Sequence, residues 1–144
     1  MSDKAILDTS FLVALFDDRD VWYTQALKIK ERLENEGLEM VILDCVIGET
    51  ISTVARRFRE RRKSKGTTVS AKQITEKIPR DSIEWAYPEV PRLYRSILSL
   101  FEKHAGQLNF HDCLIALTAK EKKIKKIVSF DEDFDRVPWL ERIE

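Results

Sequence analysis

The first apolar run, Lys4 to Leu7, is short enough for a buried strand and is followed at once by an apolar segment that predicts a helix from about Ser10. A second helix is expected from about Val21 to Asn35, where Trp22, Ala26, Leu27, Ile29 and Leu33 recur at helical spacing and Gly37 acts as the stop. Glu39 to Leu43 reads as the second strand. A long helix follows from about Cys45 to Arg61, with Ile47, Ile51, Val54, Ala55 and Phe58 on one face. Lys63 to Ser70 is polar and contains Gly66, so a loop is expected there. Next come a short helix from Ala71 to Ile78, ended before Pro79, and a short strand over Ile83-Glu84-Trp85.

From about Pro91 to Lys103 a helix carries Leu93, Tyr94, Ile97, Leu98 and Phe101, and Phe110 to Lys122 forms another around Leu114, Ile115, Ala116, Leu117 and Ala119. Ile127-Val128-Ser129 and Trp139 to Ile143 complete the strands, while Pro88, Trp85 and Trp139 are assigned to packing. Strands alternating with helices imply right-handed crossovers and a mostly parallel sheet covered on both faces. The predicted architecture is a three-layer α/β fold.

At 144 residues the chain fits one domain, 1–144, with a core of its own. Hydrophobic residues at 43% and charged residues at 35% are a globular rather than a disordered profile. Cys45 and Cys113 lie far apart in apolar surroundings, which fits buried thiols in a reduced, cytoplasmic protein. Zinc is disfavoured, because there is no C-x-x-C pair and His111 and Cys113 point apart on a helix. Phe11 to Phe16 is too short to span a membrane.

Net charge is zero, yet seven of the ten residues from Arg56 to Lys65 are basic (Arg56, Arg57, Arg59, Arg61, Arg62, Lys63 and Lys65), whereas Glu31 to Glu39 carries four acids against one base. A neutral total can hide a local phosphate-binding patch, although such a run is also compatible with a solvated helix face.

In parallel sheets, ligands bind beyond the carboxyl ends of the strands, so the residues just after each strand carry the chemistry. Several of them are acids: Asp8, then Asp44 with Glu49 in the next helix, Asp112 opening a helix, and Asp131, Asp133 and Asp135. Each has a simpler role available. Asp8 can cap the following helix, Glu49 lies about 200° from Ile47 and can be solvated, Asp112 can close a capping box with Asn109, and Asp131 and Asp133 can be turn residues. Their joint placement says more, because Asp8, the helix carrying Glu49 and Asp131 can all reach one rim of the sheet, and Asp112 joins them if its helix packs beside it. Two carboxylates about 5 Å apart repel by about 3 kcal/mol at an effective dielectric of 20. Such a pocket calls for a divalent cation, and carboxylates with a hydroxyl such as Ser10 suit Mg²⁺ or Mn²⁺. The matching chemistry is phosphodiester hydrolysis, with the basic helix end holding the polyanion.

On these residues the chain resembles the PIN-domain family, particularly the small stand-alone members that include VapC-type toxin ribonucleases. The resemblance is carried by Ile6-Leu7-Asp8-Thr9-Ser10-Phe11-Leu12-Val13-Ala14-Leu15, by Glu49, by Phe110-His111-Asp112-Cys113-Leu114-Ile115-Ala116, and by Ser129-Phe130-Asp131-Glu132-Asp133-Phe134-Asp135. It implies a Mg²⁺- or Mn²⁺-dependent endoribonuclease acting on single-stranded RNA. Asp8, Glu49 and Asp112 then correspond to the central metal-site acids and Asp131 to the fourth. Ser10 supports the first Asp, and Asp133 is the alternative to Asp131. The resemblance also implies a homodimer and inhibition by an antitoxin protein.

The rival readings are a non-catalytic RNA-binding or ribosome-processing adaptor and a metal-dependent phosphatase or receiver. The receiver wants paired acids at the first strand, whereas Asp3 precedes that strand here. No G-x-x-x-x-G-K is present, and two histidines give little support to a Ser-His-Asp hydrolase.

Overall fold

The computed structural model describes residues 3–61, 71–78 and 80–144. Five strands, β1 (Lys4–Leu7), β2 (Glu39–Leu43), β3 (Ile83–Glu84), β4 (Lys126–Val128) and β5 (Glu141–Ile143), form one sheet in the order β3-β2-β1-β4-β5. Every neighbouring pair is parallel, with Ile6 opposite Val41 and Leu7 opposite Val128. The helices are α1 (Thr9–Phe16), α2 (Tyr23–Asn35), α3 (Asp44–Arg61), α4 (Ala71–Thr75), α5 (Val90–Lys103) and α6 (Phe110–Glu121). They flank the central sheet, as the alternation of apolar runs predicts. α1 packs on both α2 and α3, and α5 packs on α6.

β1 is the middle strand, and its Ala5, Ile6 and Leu7 are buried, which is why this run is continuously apolar rather than alternating. Burying side chains such as Ile6, Phe11, Leu114 and Ile127 is worth roughly 1.5–3 kcal/mol each. The chain builds outward from β1 to β2 and β3, then returns to the other side of β1 for β4 and β5. The sheet order therefore reverses between β1 and β4. A crevice opens at such a reversal beyond the carboxyl ends of the strands. Asp8 and Ser129 are the first residues past those two ends.

Local signals explain most boundaries. α2 ends with Gly37 at φ +71°, where Leu38 N–H donates to Leu33 O, so the left-handed closing turn falls on the residue that takes it most easily. α2 starts at Tyr23, later than expected, because Asp20 Oδ1 accepts the Trp22 N–H and holds a turn there. α3 begins at Asp44, which is buried and accepts the N–H groups of Cys45, Ala86 and Tyr87 at 3.0, 2.7 and 3.1 Å. This acid ties α3 to the segment after β3, and both of its carboxylate oxygens accept backbone N–H groups there.

The packing expected of Trp85 is corrected, since it is 57% exposed, whereas Trp139 donates to Ala116 O and packs against the core. On α5 the buried face is Leu93, Ile97 and Leu100, while Tyr94, Leu98 and Phe101 form a second, half-exposed stripe. No helix among the described residues is long and apolar enough to cross a membrane.

Candidate active site

Asp8 stands in the N-cap position of α1 with extended backbone, yet its side chain makes no cap bond. Its own N–H donates to Val128 O, continuing the β1–β4 ladder one residue past the strands. Register then puts Ser129 beside it. Ser129 Oγ donates to Asp8 Oδ2 at 2.6 Å, the length of a hydroxyl bonded to a charged carboxylate, and Ser10 Oγ lies 3.3 Å from the same oxygen. Ser10 Oγ also accepts the Phe130 N–H, and Ser129 Oγ accepts the Asp131 N–H, each at 3.0 Å. Two hydroxyls thus bind the end of β1 to the loop after β4 and fix where Asp131 begins.

Glu49 comes from the second turn of α3, on the face turned toward α1. Thr9 Oγ1 donates to its Oε2 at 3.1 Å, and His111 Nδ1 lies 3.2 Å from Oε1. Asp112 comes from the first turn of α6. Its capping role is real: Asn109 Oδ1 accepts the Asp112 N–H, and Asp112 Oδ2 accepts the Asn109 N–H. That leaves Oδ1 without a capping task. Asp131 is likewise a turn residue whose Oδ1 accepts the Asp133 N–H at 2.9 Å. Asp133 instead pairs with Arg136 on the surface.

The electrostatics join these acids into one group. Burial pushes Asp8 above the ordinary carboxylate range, and the charge of Asp131 adds to the rise while the Ser129 hydroxyl opposes it. Asp112 is pushed up to about 7, first by burial and then by the charges of Asp8, Asp131 and Glu49, against the Asn109 N–H. Asp8, Glu49, Asp112 and Asp131 therefore share one region at the sheet reversal. Among the described residues, no group of three or more acid, His or Cys side chains is drawn in closely enough to hold a metal ion.

The basic run divides. Arg57 and Arg61 turn inward toward Asp17, which has no exposed surface, with Arg61 Nη1 and Nη2 at 2.6 and 2.8 Å and Arg57 Nη1 at 3.1 Å; Arg57 also pairs with Asp20. Arg61 first, and Arg57 after it, hold the Asp17 carboxyl down at about 2. Two of the seven charges are thus partly offset by Asp17 and Asp20, joining α3 to the turn after α1. Arg56 and Arg59 are exposed and form no ion pair among the described residues, whereas Arg62 and Lys63 lie outside them.

Four residues at the site were not singled out for it by sequence reasoning. Ser129 is visible only through strand register, and Thr9 and His111 only as partners of Glu49. Trp22, expected on the apolar face of α2, is 45% exposed and stacks on Phe130 beside Asp131.

Among solved structures, the fold is similar to VapC20 of Mycobacterium tuberculosis, a toxin that cleaves the sarcin-ricin loop. The TM-score is 0.70 at 20% identity, over 93% of this chain and 95% of that one. No curated protein matches at the level of sequence. The family model described as the PIN domain matches residues 5–140, a span that includes all four rim acids. The chain belongs to the PIN-domain family.

Proposed function

We propose that this protein is a Mg²⁺- or Mn²⁺-dependent endoribonuclease that hydrolyses single-stranded RNA. The observation that carries the reading is the convergence of Asp8, Glu49, Asp112 and Asp131 at the sheet reversal, with Asp112 pushed up to about 7 by burial and by the other three. Four acids would not be gathered where they repel one another unless a cation offsets the repulsion. The donor set fits in kind, since it is all carboxylate and hydroxyl oxygen, the set preferred by hard divalent ions. Asp8, Glu49, Asp112 and Asp131 would hold the cation. When bound, it supplies Lewis-acid stabilisation of phosphate charge and activation of a water. Ser129 and Ser10 orient Asp8, and Thr9 orients Glu49.

The fold shared with VapC20, itself a sarcin-ricin loop cleaving toxin, supports a role as the toxin of a toxin–antitoxin pair acting in the cytoplasm and inhibited by an antitoxin protein. The exposed stripe Tyr94, Leu98 and Phe101 on α5 supports a homodimer. A non-catalytic RNA-binding or ribosome-processing adaptor is favoured by one observation, the absence of closed metal-ligand spacing among the described residues.

The test is incubation of mixed-sequence single-stranded RNA, duplex RNA and single-stranded DNA with the protein in Mg²⁺, Mn²⁺ or EDTA. The nuclease predicts metal-dependent cutting of the single-stranded RNA and none in EDTA. RNA binding without cutting in either metal would decide for the adaptor.

A further inference from the structure

A groove of about 420 Å³ adjoins the acidic rim, lined by Ser10 and Asp131 of the rim together with Trp22, Phe130, Thr53 and Arg57. Glu49, Thr53 and Arg57 are spaced four apart, so one face of α3 runs from the acids along the groove. The indole of Trp22 lies flat on the Phe130 ring, with centroids 4.7 Å apart and planes inclined by 8°. One indole face is covered by Phe130, and Trp22 is still 45% exposed.

The ring is also held in place. Asp20 accepts the Trp22 backbone N–H through Oδ1 and a bond from Arg57 Nη1 through Oδ2, while Asp17 accepts from the same Nη1. Arg57 Nε and Nη2 have no hydrogen-bond partner among the described residues. With two Arg offset by two Asp, this cluster presents positioned donors rather than a strong positive field.

We infer that Trp22, backed by Phe130, is a stacking surface for a base of single-stranded RNA held beside the phosphodiester at the acids, with Arg57 meeting an adjoining phosphate. The inference rests on the nuclease reading for the identity of the strand. A flat, rigid, exposed aromatic face suits an unpaired base, and stacking of this kind tolerates any base. A groove adjoining an anion-repelling rim needs an attraction that does not depend on phosphate charge. Base stacking supplies one.

The test measures, in EDTA, the affinity of a labelled mixed-sequence oligoribonucleotide and of an all-abasic strand of equal length. The unaltered protein should prefer the strand with bases by about tenfold. Trp22→Ala should lose about that factor on the normal strand and nothing on the abasic one, and Trp22→Phe should recover most of it. Equal affinity of the unaltered protein for both strands would overturn the inference, as would a Trp22→Ala loss of equal size on both. Because binding is read without metal, Trp22-dependent binding by a protein that never cuts would defeat the nuclease and leave the stacking surface standing. Cutting with binding unchanged in Trp22→Ala would do the reverse.

Discussion

Asp112 has two tasks that pull its proton in opposite directions. The Asn109 N–H favours the carboxylate, whereas burial and the three neighbouring acids favour the neutral acid and prevail, raising it to about 7 from an ordinary 3.8. Between those two pH values the folded chain keeps a proton that the unfolded chain has released, so stability falls as pH rises through that window. Asp112→Asn keeps an oxygen for the Asn109 N–H and removes the charge. In EDTA its melting temperature should exceed the wild type by a small margin at pH 5 and by a larger one at pH 8, by differential scanning calorimetry. Equal melting at both values would mean that the acids do not strain one another. Asp8, Glu49, Asp112 and Asp131 can be picked out in the sequence because Asp8 and Asp131 follow strands, Asp112 opens a helix and Glu49 lies in the second turn of the helix after β2. Ser129 is not, since its role arises only when register sets it against Asp8, and no spacing along the chain encodes that.

Elements are legible in the sequence where one periodicity dominates and less so where two demands compete. β1, β2 and β4 are short apolar runs with nothing else to be, and α6 is apolar nearly all round. α5 instead reads as one broad apolar face, but Leu93, Ile97 and Leu100 are enough to cover the core, so Tyr94, Leu98 and Phe101 are left outward. In α3 the basic run looks uniform, yet helical spacing sends Arg57 and Arg61 to the face that meets Asp17, about forty residues earlier. No local pattern announces such a partner. The start of α3 shows how an acid after a strand can be structural. Asp44→Ala would strand the buried N–H of Ala86 and the half-buried one of Tyr87, and should cost about 2–4 kcal/mol in chemical denaturation. A loss below about 0.5 kcal/mol would remove Asp44 from that role.

For the whole molecule, the sheet order gives these residues their meaning. Alternating strands and helices predict a parallel sheet, but the order β3-β2-β1-β4-β5 is not encoded in any local pattern, because it depends on which side of β1 the later strands return to. That return puts the carboxyl ends of β1 and β4 side by side. α3 and α6 then bring Glu49 and Asp112 to the same rim, and Trp22 lies against the loop after β4. The central claim is that this rim is the catalytic site, and it is tested most directly by comparing wild type with Asp8→Asn in cleavage of single-stranded RNA in Mn²⁺, with melting temperatures matched. The account predicts that cleavage falls by more than about a hundredfold while the fold is retained, because the substitution removes charge from the centre of the acids and leaves an oxygen for Ser129. Equal cleavage by the two proteins would contradict it.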